Sequence, residues 1–293
     1  MKFYLPDFGF FMNLNMTILD LMKEYPDYFN NNIEIGGIYG TFPGAIWNGG
    51  RLLTNHISSA EEMEHIVSVL NKRNIPIRYT FTNHLLEEKH LNDTYCNLMM
   101  EIANTGMNEI IINSPILEDY LRKEYPNFKY ILSTTRCERD INKINEATKK
   151  YDLVVTDYRD NPNIEFLQAI EDKSKIELLI NAYCDPNCPI RKKHYTSIAN
   201  HQLRFEDMDK EKDADILKCP TYKKHFYDIL EYPTVLTNKD VLKKYPKMGF
   251  NHFKIEGRTM PIAQVIESYV YYLVKPEYQN EIRLLILERC IGG

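Results

Sequence analysis

Short apolar runs alternate along this chain with stretches in which apolar residues recur at helical spacing, the pattern of βα units built on a parallel sheet. Eight runs predict strands: Lys2–Leu5, Ile33–Ile38, Ile75–Phe81, Glu109–Asn113, Lys129–Thr134, Leu153–Asp157, Ile176–Asn181 and Phe250–Glu256. Several are apolar almost throughout, as at Ile110, Ile111 and Ile112, which suits strands covered on both faces. Between the strands, Ser59 and Glu62 predict a capping box ahead of Met63, Ile66, Val67 and Leu70, and Pro115 predicts a first-turn residue after the fourth strand. Tyr-Pro at 25–26, 125–126 and 245–246 predicts three helix stops, because proline disfavours helical geometry in the residue before it.

Eight strands with intervening helices in 293 residues predict an α/β chain folded as one (β/α)8 TIM-type barrel over 1–293, a fold of about 250 residues. An open doubly wound sheet is the alternative, but no early strand is followed by Gly-x-Gly-x-x-Gly and no Gly-x4-Gly-Lys-Ser/Thr occurs. Gly49 and Gly50, with the glycines nearer the second strand, read as a tightly turning loop ahead of a phosphate cradle. One connection breaks the spacing. At about 183–249, between strands seven and eight, an insertion lacks a core strand and carries a charge run from Glu206 to Asp215 that reads as a solvated helix face. Connections this long tend to act as lids or binding elements.

Composition narrows the class. The chain is 44% hydrophobic and 26% charged, as expected of a globular protein, and its net charge of −5 argues against general DNA binding or attachment to anionic membranes. No apolar run reaches the ~20 residues of a membrane span, and the opening Met-Lys-Phe-Tyr-Leu-Pro-Asp has no signal-peptide pattern, so a cytoplasmic location is expected. Six cysteines are too sparse for a disulfide scaffold of this length. In a reducing compartment a close cysteine pair reads as a ligand set.

The chemistry should collect at the C-terminal strand ends. Asn83, Asn113, Thr134, Asp157, Arg159, Asn181, Glu256 and Arg258 fall there, and each alone could instead cap the following helix. Cys184 and Cys188 follow strand seven at C-x3-C spacing around Asp185, Pro186 and Asn187, and in a closed barrel they share a rim with Cys137 and Cys219. Four thiolates suit a 4Fe-4S cluster or a structural zinc, with His194 an alternative zinc ligand. Cys137 and Cys219 could equally be small buried apolar residues, and Cys96 and Cys290 read as packing cysteines. Arg191 stands where a radical S-adenosylmethionine motif would carry a third cysteine. In Phe253-Lys-Ile-Glu-Gly-Arg258, Lys254 and Glu256 share one face of strand eight and Arg258 offers a planar fork to a carboxylate or phosphate. Glu256 could equally serve as a structural partner of Lys254 or Arg258.

These strings resemble the collagenase-like peptidase family U32. The resemblance rests on Lys254-Ile-Glu-Gly-Arg258, on Cys184 and Cys188 after the preceding strand, on Tyr79-Thr-Phe-Thr-Asn83 and on Leu132-Ser-Thr-Thr135. It implies a short single-barrel member, similar to the iron-sulfur proteins of that family that act in oxygen-independent hydroxylation of ubiquinone precursors or RNA bases. The expectation that follows is an enzyme with a 4Fe-4S cluster on Cys184, Cys188, Cys219 and Cys137 beside a pocket holding Glu256, Arg258, Lys254, Asn83 and Asp157. Its substrate would be a small molecule or an RNA base. Two alternatives stand beside it. One is a zinc-dependent peptidase using Cys184, Cys188 and His194 or Cys219 with Glu256 as general base. The other is a non-catalytic partner of a second barrel subunit.

Overall fold

The computed structural model describes residues 1–51, 53, 57–204 and 225–291. Eight parallel strands close a barrel in sequence order: β1 (Lys2–Pro6), β2 (Glu34–Gly40), β3 (Ile77–Phe81), β4 (Glu109–Ile112), β5 (Lys129–Leu132), β6 (Leu153–Val155), β7 (Ile176–Leu179) and β8 (His252–Lys254). β1 closes the ring on β8, with Phe3 opposite Phe253 and Tyr4 opposite Lys254. The barrel and its helical ring confirm the predicted (β/α)8 fold.

Around the barrel run α1 (Met12–Glu24), α2 (Ala60–Lys72), α3 (Thr94–Ala103), α4 (Pro115–Glu124), α5 (Ile141–Lys150), α6 (Ile164–Ala169), α7 (Arg191–Leu203), α8 (Ile262–Leu273) and α9 (Gln279–Ile291), with shorter helical turns between. Their apolar stripes face inward, as with Met63, Ile66, Val67 and Leu70 of α2, whose Ser59 cap accepts from the Glu62 N–H at 3.1 Å. None of these helices is long and apolar enough to cross a membrane.

All eight predicted strands are present, yet most end earlier than the hydrophobic pattern suggests. Polar residues at the strand ends capture the chain. Ser133 Oγ accepts from Thr135 N–H and Asp157 Oδ1 from Arg159 N–H, so β5 and β6 stop before them and tighten into 3₁₀ turns. In the same way the Glu256 N–H is taken by Asn181 Oδ1 at 2.6 Å rather than by the sheet.

Two of the three Tyr-Pro stops hold, at Tyr25 and Tyr125, which end α1 and α4. The third does not. The chain stays helical through Tyr245-Pro246, because a π-turn over Asp240–Lys244 widens the helix just where the proline ring would meet a carbonyl of the preceding turn. The connection between β7 and β8 is not structureless either, since it holds α7 and a turn at Phe226–Ile229; the charge run from Glu206 to Asp215 lies outside the described residues.

The barrel interior departs from the usual filling of branched aliphatic side chains. Ile111, Ile131, Leu153 and Val155 pack there with Tyr4 and Tyr39, but beside them lies a buried charged group. Arg78 donates Nε to Glu109 at 2.8 Å and Nη2 to Glu177 at 2.7 Å, and its guanidinium stacks 3.7 Å from the centre of the Tyr4 ring. Lys254 Nζ stands 3.6 Å from the same Glu177.

Candidate active site at the barrel mouth

Above this charged group, at the C-terminal ends of the strands, opens a cavity of about 440 Å³. Tyr39, Thr80, Arg191, Lys254, Glu256 and Arg258 are among the residues that line it. Pockets of this size and position suit a small ligand.

Arg258 is the least compensated charge in it. Its Nη1 donates to Thr80 Oγ1 at 2.6 Å and to Asn48 Oδ1 at 3.2 Å, and its Nη2 donates to the Gly49 carbonyl at 3.2 Å. Every one of these acceptors is neutral, and no salt bridge to Arg258 forms among the described residues. The glycine loop makes the contact possible. A Cβ on Gly49 would lie 2.6 Å from the Thr82 backbone, and Gly50 adopts φ +78°. The loop therefore serves close approach, and it supplies an acceptor for a guanidinium rather than donors for a phosphate.

Lys254 forms the floor. Its ammonium lies 3.9 Å from the Tyr39 ring centre, in cation–π contact. Burial brings its pKa down to about 7, Glu177 opposes the shift, and Arg78 and Arg258 reinforce it.

Glu256 is held at the wall. Arg51 donates to one carboxylate oxygen and the Tyr183 N–H to the other at 3.1 Å, while Asn181 bonds the Glu256 backbone from both sides. The arrangement fixes Arg51 across the cavity mouth. Tyr39 donates its hydroxyl to the Ile255 carbonyl at 2.6 Å, so the ring that meets Lys254 is itself fixed.

Asp157 is buried and does not line the cavity. Arg159 pairs with it through Nε at 2.9 Å and Nη2 at 2.7 Å, and Arg191 donates to it as well. Burial alone would raise its pKa, but the two arginines hold it below the usual carboxylate value. Asp157 therefore positions Arg191, which lies between the Tyr158 and Tyr195 rings at 4.6 and 5.2 Å. Asn83 also faces away from the cavity. Its Nδ2 donates to the carbonyls of Ile46 and Ala199, tying the β2 loop and α7 to the end of β3.

Among the candidate ligands, Cys184 lines the cavity next to Tyr158, and burial pushes its thiol up to about 11 against the opposing influence of Tyr158 and Arg191. Cys188 follows a turn in which its N–H donates to the Asp185 carbonyl at 3.0 Å. Cys137 is buried in a left-handed conformation, φ 52°, with its thiol 3.6 Å from the Thr135 carbonyl. His194 lines the cavity, and burial lowers its pKa. Cys219 lies outside the described residues. Among the described residues no group of three or more His, Cys, Asp or Glu side chains could hold a metal ion. The described donors alone therefore do not make up a ligand set for a 4Fe-4S cluster or zinc. Cys96 is buried in the core, as read from the sequence, while the half-buried Cys290 thiol meets Thr17 Oγ1 at 3.4 Å.

Four buried polar atoms on cavity-lining side chains lack a hydrogen-bond partner among the described residues: Thr82 Oγ1, the Tyr183 hydroxyl, Arg191 Nε and His194 Nε2. Unpaired buried polar groups are costly, so their grouping here suits a polar ligand.

The sequence reading missed Arg51, Arg78 and Glu177. The last two had a visible signal, a lone charge inside a short, wholly buried strand, in Ile77-Arg-Tyr-Thr-Phe81 and Ile176-Glu-Leu-Leu179.

In (β/α)8 barrels the C-terminal strand ends, where this cavity opens, are the usual place for a ligand site. No family model matches the chain. It is 22% identical over 248 residues to an uncharacterized protease of Methanocaldococcus jannaschii, MJ1657, across 80% of this chain and 71% of that protein. The structure of the U32 peptidase Mk0906 matches with a TM-score of 0.52 at 15% identity, covering 89% of this chain and 94% of that one, a likeness of fold. Together the two comparisons bear out the resemblance to family U32.

Proposed function

We propose that this chain is a U32-like barrel enzyme that converts a small carboxylate-bearing substrate, with Arg258 as the carboxylate anchor and Lys254 as the group that moves a proton. The observation that carries this reading is the Arg258 guanidinium, buried, lining the cavity and bonded only to neutral acceptors. Asp7 and Glu256 favour this charge without forming a salt bridge to it, so a ligand that brings an anion into contact still adds stabilisation, and a guanidinium meets a carboxylate through two parallel bonds. Arg159 and Arg191 share the single carboxylate of Asp157, which adds to the positive bias of this mouth in an otherwise acidic protein.

Lys254 has the basicity for proton transfer near neutral pH, where general acid–base groups work best. The names of the similar proteins point to hydrolysis of a peptide-type bond. In that reaction Lys254 would take a proton from the attacking water, and Arg191 would face the oxygen on which charge develops. The test is turnover of short peptides with free and with amidated C-termini. The reading expects cleavage of the free acids, weakened roughly 10- to 100-fold in Arg258→Met, and equal turnover of acids and amides would sink it.

The iron-sulfur reading has one observation in its favour. The Arg191 charge favours the thiolate of both Cys137 and Cys184, and both thiols are free. A cluster there would supply electron transfer or an open iron site. Its test is metal and sulfide analysis of the full chain purified without oxygen.

A further inference from the structure

We propose that Lys254 is a carbonyl-reactive amine, which condenses with small 2-oxo acids whose carboxylate is held by Arg258. The inference rests on the same amine and arginine as the functional reading but assigns the amine a covalent reaction. Lys254 lies at the floor of the cavity rather than on the protein surface, and its side chain is 8% exposed. Burial of the amine in such a pocket favours its unprotonated form against the pull of Glu177, and only the unprotonated form attacks a carbonyl. Cations on two sides reinforce this: Arg78 shares Glu177 with Lys254, and Arg258 shares the Tyr39 ring, with its guanidinium 5.9 Å and the Lys254 ammonium 3.9 Å from the ring centre. A ligand whose carboxylate meets Arg258 thus brings a neighbouring carbonyl toward Lys254. A 2-oxo acid, with its carbonyl directly attached to the carboxylate, is the smallest ligand that offers both groups at once.

The step balances without an external oxidant or reductant. The nitrogen lone pair forms a bond to the carbonyl carbon, the C=O π pair moves to oxygen, and that oxygen takes a proton. Loss of water from the carbinolamine then gives the imine, so amine and ketone become imine and water. Glu177 has one oxygen bonded to Arg78, while its other oxygen, Oε1, has no hydrogen-bond partner among the described residues and stands 3.6 Å from the amine. It can relay the proton that leaves nitrogen.

The experiment uses the intact wild-type chain near neutral pH with glyoxylate and cyanoborohydride, which reduces an imine to a stable secondary amine, followed by peptide mapping. The proposal expects Lys254 to be modified at least ~10-fold faster than the exposed lysines, a margin of the size that one charge-assisted contact confers. Propionaldehyde, which lacks the carboxylate, should modify Lys254 at least ~10-fold more slowly than glyoxylate does, and Arg258→Met should bring glyoxylate to the propionaldehyde rate. Modification spread over surface lysines with Lys254 untouched would overturn the proposal. If glyoxylate protects Lys254 from propionaldehyde without forming an adduct, the imine is excluded and the carboxylate anchor survives. Equal modification of Lys254 by both aldehydes would instead remove the anchor, and with it the 2-oxo acid preference.

Discussion

Arg78 on β3 reaches across the barrel to donate its Nη2 to Glu177 on β7 at 2.7 Å, with both side chains wholly buried. The pair sits directly beneath the cavity and touches its floor, because the free oxygen of Glu177 faces Lys254. A buried ion pair of this kind is a weak source of net stability, yet removing one partner leaves a stranded charge. Its role here is to set the charge state of the amine that opens on the cavity.

Glu177→Ala should therefore destabilise the chain by about 3–5 kcal/mol, since it strands Arg78 with Glu109 alone and leaves Lys254 unpaired. Urea denaturation of the variant against wild type reads this directly. Replacing Arg78 and Glu177 together by Met and Leu should recover most of the loss. A single variant as stable as wild type would show that the pair is not intact in the folded protein.

Arg258→Met should cost less than Glu177→Ala. It strands no salt-bridge partner among the described residues but takes the donor from Thr80, Asn48 and the Gly49 carbonyl, so the loss of stability should be about 1–3 kcal/mol, while turnover of a carboxylate substrate should fall by roughly 10- to 100-fold, the loss of one or two charged hydrogen bonds. Thermal melting alongside turnover separates these effects. Large destabilisation with unchanged turnover would make Arg258 a structural residue.

The pH dependence follows from Lys254, which faces Tyr39 on β2, Arg78 on β3, Glu177 on β7, and Arg258 beyond its own strand. As a proton acceptor it must be neutral, so activity should rise as pH passes about 7. Glu177→Gln removes the attraction that retains the proton and should move this midpoint lower. The sign for stability is also fixed. Between about 7 and the ordinary lysine value of 10.5 the unfolded chain holds a proton that the folded chain lacks, so Lys254 makes stability rise with pH across that window. Lys254→Met should flatten that rise and abolish activity. A pH–rate profile unchanged in Glu177→Gln would contradict the coupling.

The barrel was legible because its signal is repeated: eight apolar runs separated by amphipathic helices, with little room for another topology. Glu256, Arg258 and Lys254 were legible too, since alternation on one strand and a flexible Gly257 place all three at one rim. Asn83 and Asp157 were read as site residues for the right reason, their place at strand ends, but strand-end polar groups also bind loops and arginines, and theirs do. Arg51 gave no local signal. Its meeting with Glu256 depends on how the β2 loop crosses the barrel mouth, a contact between residues 205 positions apart. Pro246 misled because a π-turn can absorb a proline that an α-helix rejects.

The cysteine cluster makes its own prediction. If Cys184 and Cys188 hold iron with Cys137 and Cys219, the full chain purified without oxygen will be brown, with iron and sulfide in equal amounts, and Cys184→Ala will lose both. Colourless, iron-free protein after anaerobic reconstitution would remove the cluster from the account.

The most direct test of the Arg258 anchor is calorimetric titration of the wild-type chain with a dipeptide and with its C-terminal amide. The account predicts that the free acid binds at least ~10-fold more tightly, about 1.4 kcal/mol, and that Arg258→Met erases the difference. Equal affinity of wild type for acid and amide would contradict it.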